Sequence, residues 1–180
     1  HLVVPGSLSR NQRCASLELG TLPCGRTSVG VSYEKLFGAY LDGAQNVEII
    51  DPYVRTFHQC RNVMELLEVV VRHCKFDVTS VKVHLITAPD EHLDSKQEEY
   101  LEQIRESMSP LGLDFTWKID RSGALHARHL KIDGKWDILL DRGLDIWQRF
   151  DSGNAFSIEN RLPEMRRVKA FELTYMKVSE

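Results

Sequence analysis

The sequence lacks the features that would mark a membrane-spanning, zinc-binding or DNA-coating protein. No apolar run approaches the roughly 18 residues that cross a bilayer. The longest apolar stretches, near Leu66–Val71 and Val81–Ile86, have the size of core elements. The 4 cysteines form no C-x-x-C pair, so neither a zinc knuckle nor a redox motif is present. A formal net charge of −3 argues against nucleic-acid binding through bulk charge, although it leaves room for a local basic surface.

The composition is that of an ordinary globular domain. The chain has 180 residues, of which 42% are hydrophobic and 27% are charged, which argues against disorder throughout and against a coiled coil. Residues 1–31 contain several glycines and prolines but no periodic apolar pattern, so we expect a basic arm there, followed by one domain over residues 32–180. Because the chain begins with His1 and shows no signal peptide, we expect a piece of a larger cytoplasmic protein with reduced thiols.

Apolar periodicity predicts that helices and strands alternate after the arm. Ser32 is suited to cap a first helix that Gly43 ends. Asp133-Gly134 is a strong signal for a two-residue hairpin after an extended run over Leu125–Ile132. Strands separated by helices at this spacing imply an α/β fold with a mixed sheet. The other predicted elements are helices over Phe57–His73 and Ser95–Leu111, and strands over Val47–Ile50, from Val81, over Leu113–Ile119, over Trp136–Leu140 and near Val168–Tyr175.

The stretch from His126 to Asp133 contains the residues best suited to phosphate chemistry. On a strand, His126 and Arg128 share one face. A guanidinium clamps phosphoryl oxygens with two parallel hydrogen bonds, and an imidazole beside it serves as a nucleophile or a proton carrier. Asp133, at the hairpin, is suited to orient a neighbouring group. His126 and His129 are three residues apart and point to opposite faces of a strand, so we expect no metal site there, and no cofactor is predicted.

This stretch resembles the signature of the phospholipase D superfamily. His126-x-Arg128-x-x-x-x-Asp133 is similar to H-x-K-x-x-x-x-D, with arginine in place of lysine. The resemblance implies that His126 would attack phosphorus and that Arg128 would bind phosphate. In that family two copies of the motif build one site, whereas this chain has one copy, so catalysis would require a homodimer. Downstream, the usual glycine, small hydroxyl and asparagine are replaced by Asp141-Arg142-Gly143-Leu144-Asp145.

Three further motifs resemble the phospholipase D-like C-terminal domain of the MIT-domain proteins. They are Ser32-Tyr33-Glu34-x-Leu36-Phe37, Asp51-Pro52-Tyr53-x-Arg55 and Arg142-Gly143-Leu144-Asp145-Ile146, and the matches span about residues 31–176. The resemblance implies an α/β, phospholipase D-like mixed sheet flanked by helices. In the eukaryotic member of that family, the domain is thought to be non-catalytic, to dimerise and to bind acidic phospholipid at membranes.

The resemblance also suggests a parent protein. A related domain ends bacterial Lon-like ATP-dependent protease proteins of BREX-type phage defence, and residues 1–26 resemble their linker. We therefore expect a Lon-like parent with a role in phage defence. The chain itself has no G-x-x-x-x-G-K-[ST] loop, so it carries no ATPase motif of that kind.

These observations leave three functions open. The first is a non-catalytic homodimeric module that binds a phosphorylated ligand, either acidic phospholipid or nucleic acid, in the cytoplasm or at the periphery of a membrane. The second is a phosphodiesterase or nuclease that uses His126, Arg128 and Asp133 across a homodimer. The third is a scaffold that only oligomerises its parent. The predicted ligand-binding residues are Asp51, Tyr53, Arg55, Arg142, Asp145, Arg166 and Arg167.

Two pairs of these residues also have a purely structural interpretation. Asp51 is placed to cap the turn that follows it and to pair with Arg55. Arg142 and Asp145 are spaced for an ion pair at the start of a helix, or for a rim around a phosphate. The sequence does not decide between the two interpretations.

Overall fold

The computed structural model describes residues 19–24, 29–73, 81–151 and 153–178. Two short 3₁₀ turns, Ser109–Leu111 and Pro163–Met165, accompany the main elements. The described strands are β1 Leu19–Cys24, β2 Asn46–Ile50, β3 Val81–Thr87, β4 Leu113–Ile119, β5 His129–Ile132, β6 Trp136–Leu140 and β7 Phe171–Lys177. The described helices are α1 Tyr33–Leu41, α2 Phe57–His73, α3 Gln97–Met108 and the single turn α4 Ile158–Arg161.

The described strands form one mixed sheet in the order β1-β7-β6-β5-β2-β3-β4. β2, β3 and β4 are parallel, and α2 and α3 are the crossovers between them. The other neighbouring strands are antiparallel. This arrangement brings the end of β2 next to the beginning of β5, because Ile50 pairs with His129. No helix in the described part of the chain has both the length and the apolar character needed to cross a bilayer.

The alternating apolar residues of the strands pack against the helices in one core. Ile49 of β2, Leu85 of β3 and Leu130 of β5 are fully buried, whereas their neighbours along each strand are more exposed. α2 contributes Leu66 and Leu67, which are also fully buried. Burying a side chain of this size stabilises the fold by about 1.5–3 kcal/mol. The core therefore fixes the register of the central strands and, with it, the position of the loops at their ends.

The long periodic elements agree with the sequence prediction. α2 has the predicted bounds, as does β4. The predicted cap of α1 is confirmed, because the side chain of Ser32 accepts a hydrogen bond from the backbone nitrogen of Lys35 at 3.4 Å. Periodicity over several turns or residue pairs is the strongest local signal, and these elements show it throughout.

The predicted extended run before the hairpin is shorter than expected. β5 begins at His129, and residues 125–128 are not part of a strand. The reason is the length of its partner, since Leu140 ends β6 and its backbone nitrogen donates to the carbonyl oxygen of Arg128 at 2.9 Å. Beyond this point the partner strand turns away, and His126 has no residue opposite it.

Regular structure also begins earlier than the sequence predicts. β1 lies within the predicted arm and pairs antiparallel with β7 at the edge of the sheet. An edge strand tolerates Pro23, which weakens the sequence signal for a strand. Residues 1–18 and 25–28 of the arm lie outside the described residues. The division into an arm over residues 1–31 and a domain over residues 32–180 stays a prediction.

The predicted hairpin is confirmed, and Asp133 ties it to the rest of the sheet. Asp133 and Gly134 have φ angles of 51° and 67°, as a two-residue turn with two left-handed residues requires. The Oδ1 atom of Asp133 accepts hydrogen bonds from the backbone nitrogens of Gln45 at 3.0 Å and Asn46 at 2.8 Å. The carboxylate thus holds the beginning of β2 against the turn between β5 and β6.

We expect Asp133→Ala to lower the free energy of unfolding by about 1–3 kcal/mol. The change removes the oxygen that accepts hydrogen bonds from two backbone N–H groups. It also places alanine at a positive φ angle, which alanine adopts less readily than Asp or Asn. Asp133→Asn keeps an acceptor oxygen and tolerates this conformation, so it should cost less. Urea denaturation of both variants measures the difference. Equal stability of Asp133→Ala and the wild type would contradict this role.

Candidate functional site

Three loops meet at one end of the central strands, next to the last residue of β2. Residues 51–55 follow β2, Arg128 precedes β5, and residues 141–145 follow β6. They are neighbours because β5 pairs with β2 on one side and with β6 on the other. Between them lies an open cleft of about 360 Å³. Its lining residues are Tyr53, Gln59, Arg128, Asp141, Arg142 and Asp145.

Two guanidinium groups contact the ring of Tyr53 at this cleft. The Cζ atom of Arg128 lies 4.4 Å from the ring centroid, and that of Arg55 lies 5.5 Å away. Nη1 of Arg128 also donates a hydrogen bond to the carbonyl oxygen of Asp141. Each cation–π contact contributes about 0.5–2 kcal/mol. Tyr53, which is 44% exposed, therefore has two guanidinium groups within 5.5 Å of its ring centroid.

Asp51 lies behind this surface and holds two of the loops together. Its side chain is 3% exposed. Oδ1 accepts a hydrogen bond from the backbone nitrogen of Tyr53, and Oδ2 accepts one from that of Leu144, each at 3.0 Å. Burial raises the pKa of Asp51, although these two bonds and the charge of Arg128 act in the opposite direction. Asp51 is thus enclosed by protein and does not line the cleft.

The predicted pair between Asp51 and Arg55 does not form. Arg55 instead donates from Nε to the carbonyl oxygen of Pro52 at 3.0 Å. The predicted turn-capping role of Asp51 is present, because its carboxylate accepts from the nitrogen two residues later. Arg55 consequently keeps its guanidinium next to Tyr53 and not against the buried carboxylate.

Gly143 is required where the loop after β6 approaches Asp51. Its φ angle is +61°, a conformation that side-chain-bearing residues rarely adopt. A Cβ atom built there would lie 2.0 Å from Oδ2 of Asp51 and 3.0 Å from Cδ of Arg128. The absence of a side chain at residue 143 is what permits the hydrogen bond between Leu144 and Asp51. This contact joins the loop of the Asp51-Pro52-Tyr53 motif to the loop of the Arg142-Gly143-Leu144 motif.

Asp145 and Arg142 take separate partners. Oδ2 of Asp145 accepts a hydrogen bond from Nζ of Lys169 at 2.6 Å, and Oδ1 lies 3.7 Å from Nε2 of His58. Burial alone would raise the pKa of Asp145, but the contacts with His58 and Lys169 outweigh it and the pKa is lowered. Arg142 is exposed and donates from Nε to the carbonyl oxygen of Ala170. The charge of Asp145 is therefore balanced without Arg142.

The remaining predicted site residues do not gather at the cleft. His126 is exposed in the loop before β5 and makes no hydrogen bond to a residue that the structure describes. Since it is not on a strand, alternation no longer places it on the face of Arg128. Asp133 lies at the opposite end of β5 and serves the hairpin. Arg167 is exposed in the segment before β7.

Arg166 is a core residue and not a surface cation. It is 1% exposed, and its Nη1 donates to Oε2 of Glu65 at 2.5 Å. Its guanidinium also packs over the rings of Phe150, at 4.4 Å, and Trp147, at 5.0 Å. The basic run in the sequence suggested a ligand-binding rim, but Glu65 lies 101 residues away and gave no local signal. This placement corrects the prediction for Arg166.

Sequence reasoning missed two groups of residues around the cleft. Gln59 and Asp141 line it without having been predicted to do so. His58 and Lys169 are the unpredicted partners of Asp145. His58 and Gln59 lie on the first turn of α2, directly after the loop that contains Arg55. The predicted helix after that loop was the sequence signal that could have placed them near the cleft. No cluster of potential metal ligands occurs among the residues described.

Comparison with known proteins identifies the family. Residues 30–177 match the family described as the phospholipase D-like domain at the C-terminus of MIT. MIT domain-containing protein 1 of Mus musculus is 33% identical over 125 residues, which cover 68% of this chain and 48% of that protein. The chain belongs to this family of phospholipase D-like domains. It spans about half the length of that relative.

Two solved structures have a limited structural similarity to the chain. Nuc of Salmonella typhimurium, a phospholipase D family member, has a TM-score of 0.49 at 9% identity, with 89% of this chain and 84% of that chain covered. Phosphatidylserine synthase of Haemophilus influenzae has a TM-score of 0.48 at 12% identity, and the match covers 89% of this chain and 35% of that chain. At such low identity the likeness extends to no residue role. The predicted fold class, a phospholipase D-like mixed sheet flanked by helices, is confirmed.

We expect Gly143→Ala to destabilise the domain by about 2 kcal/mol or more, because it adds a close contact with Asp51 to the strain of positive φ. In an Asp51→Ala background the contact with the carboxylate is gone, so the added cost should fall to about 1–2 kcal/mol of backbone strain together with the milder contact to Cδ of Arg128 at 3.0 Å. Gly134→Ala is the matched control, since Gly134 has a φ of +67° and no atom lies within 4 Å of the position that its Cβ would take.

The double-mutant cycle is measured by denaturant unfolding of the single and double variants. The cost of Gly134→Ala should be the same in both backgrounds. A cost of Gly143→Ala that is also unchanged by Asp51→Ala would show that the carboxylate does not determine the need for glycine.

Proposed function

We propose that this domain is a non-catalytic module that binds phosphate groups at the cleft beside Tyr53. The observation that carries the proposal is the pair of guanidinium groups, from Arg55 and Arg128, held against one exposed ring. Guanidinium matches the geometry of phosphate oxygens and stays charged at all physiological pH values. Arg142, which is exposed, lines the cleft together with Arg128. Of the two carboxylates in the cleft lining, Asp145 is paired with Lys169, whereas Asp141 is exposed.

The position of His126 favours binding over catalysis. A histidine nucleophile needs a fixed orientation towards the phosphorus atom and a group that holds its ring. His126 is exposed, and no described residue bonds its ring. The carboxylate of Asp133, which is also part of the motif, accepts hydrogen bonds from the backbone nitrogens of Gln45 and Asn46 at the hairpin. The phosphodiesterase alternative would therefore depend on groups supplied by a second copy of the chain.

An exposed apolar segment favours a lipid headgroup as the source of the phosphate. Phe156 is 97% exposed, Ile158 is 55% exposed and Met165 is 49% exposed, all within ten residues of one another. Arg161 is exposed in the same segment. Apolar side chains bordered by arginine are typical of surfaces that insert into the interface of an anionic membrane. Nucleic acid would use the cations but would leave these side chains in water.

The wider context of the domain is also part of the proposal. We propose a homodimer at the periphery of a membrane, because two weak headgroup sites on one particle bind a surface much more tightly than one. The similarity to half of a longer relative is consistent with a role inside a larger chain. The Lon-like parent, the role in phage defence and the cytoplasmic location stay predictions.

We expect the full chain to co-sediment with phosphatidylcholine vesicles that contain phosphatidylserine and not with pure phosphatidylcholine vesicles. Arg128→Gln and Arg142→Gln should each weaken binding about fivefold, since a basic residue near an anionic surface contributes about 1 kcal/mol. Arg72→Gln is the matched control, because Arg72 is exposed at the far end of α2, where it pairs with Glu68. Added salt should weaken binding of the wild type.

Three results of the vesicle experiment would contradict the proposal. An equal loss in Arg72→Gln would show that the cleft has no special role. Stronger binding to duplex DNA than to vesicles at the same salt concentration would identify nucleic acid as the ligand. Binding of Arg128→Gln that equals binding of the wild type would show that the guanidinium pair does not bind the phosphate groups.

We expect no hydrolysis of bis-p-nitrophenyl phosphate by the wild type, and we expect His126→Ala to bind phosphatidylserine vesicles like the wild type. The reason is that His126 is absent from the residues lining the cleft. Release of nitrophenolate is followed by absorbance. Hydrolysis that His126→Ala abolishes would establish the phosphodiesterase alternative.

A further inference from the structure

A second surface feature lies between α2 and α3, outside the cleft. The two helices are successive crossovers over parallel strands, and a groove of about 300 Å³ runs between them. Its walls are mainly apolar. α2 contributes Phe57, Cys60, Met64 and also Arg61, whose guanidinium pairs with Glu65 at 3.5 Å, while α3 contributes Tyr100 and Ile104.

The groove exposes aromatic surface that the fold does not need. Phe57 is 57% exposed, and its ring meets that of Tyr100 edge to face at 5.6 Å. By contrast, Ile104 is 7% exposed and forms part of the core below. A contiguous apolar surface that stays open to water on a folded domain commonly marks an interaction site. Phe57 supplies the large, exposed anchor that such sites use.

The outer side of the groove is acidic. Glu99 and Glu106 lie one turn before and after Gln103, which lines the groove, and both are exposed. Glu99 accepts a hydrogen bond from the side chain of Gln103 at 3.3 Å. No ion pair with another described residue neutralises either glutamate, whereas Glu102, on the same exposed face of α3, pairs with Arg105. Two free negative charges therefore border the apolar groove.

We propose that the groove between α2 and α3 binds an amphipathic helix of a partner protein, whose apolar face covers Phe57 and whose basic residues face Glu99 and Glu106. Two parallel helices with an apolar channel form a surface into which a third helix packs. The acidic border selects a basic helix over an acidic one through charge complementarity. The inference is independent of phosphate binding, because none of these residues lines the cleft.

A synthetic amphipathic peptide of leucine and lysine tests the proposal. We expect it to bind the full chain and to shift the amide resonances of α2 and α3 in NMR spectra, while an analogue with glutamate in place of lysine should not bind. Phe57→Ser should weaken the affinity at least about fivefold, as the loss of an interface anchor does. The anchor is largely exposed, so the variant should keep its fold, which the dispersion of the same spectra confirms.

Two neighbouring charge reversals provide the matched control. Glu99→Lys and Glu98→Lys change the net charge equally, but Glu98 lies on the side of α3 away from the groove. Glu99→Lys should weaken the affinity several-fold more than Glu98→Lys does. Equal losses in the two variants, or shifts confined to other surfaces, would overturn the proposal.

Other occupants of the groove give different results. Concentration-dependent self-association that Phe57→Ser abolishes would identify a second copy of this chain as the occupant. Peptide binding that appears only after removal of residues 1–18 would identify the chain's own basic N-terminal segment. Either result would overturn the assignment to a separate partner and would leave the phosphate-binding proposal unaffected.

Discussion

The buried carboxylate of Asp51 is the contact on which the candidate site depends. It accepts backbone hydrogen bonds from the loop after β2 and from the loop after β6, so two segments that lie 93 residues apart in the chain are held as one unit. The same carboxylate occupies the space that a side chain at residue 143 would need. Tyr53, Arg128 and Arg142 extend from this unit. Their arrangement follows from a contact that is enclosed within the protein.

Burying a carboxylate is costly, and the structure shows what offsets the cost. Burial raises the pKa of Asp51, while the N–H groups of Tyr53 and Leu144 and the charge of Arg128 favour its ionised form. Arg128 benefits in turn, since a half-buried guanidinium needs a negative charge and acceptors nearby. With Tyr53 and the carbonyl of Asp141 it is held before any ligand arrives. A prearranged cation loses little conformational entropy on binding phosphate.

Prediction from the sequence succeeded where the signal was local. α2, β4, the Ser32 cap and the Asp133-Gly134 turn depend on spacing within a few residues, and they were identified correctly. The end of β5 depends on where its partner strand turns, which the sequence around His126 does not contain. The buried Arg166 pairs with Glu65 of α2, which lies 101 residues away, so the local sequence gave no sign of the contact. Of the predicted site residues, Tyr53, Arg128, Arg142 and Asp145 line the cleft, whereas Asp51 lies behind it and Gln59 and Asp141 were not predicted.

α2 connects the cleft with the groove. Gln59 lines the cleft, whereas Phe57 and Cys60 line the groove, so adjacent residues of one helical turn face two different surfaces. The loop that holds Tyr53 runs directly into this turn, and Thr56 and Arg55 donate their backbone N–H groups to the side chain of Gln59. The cleft and the groove therefore share the first turn of α2, and the side chain of Gln59 joins that turn to the loop of Tyr53.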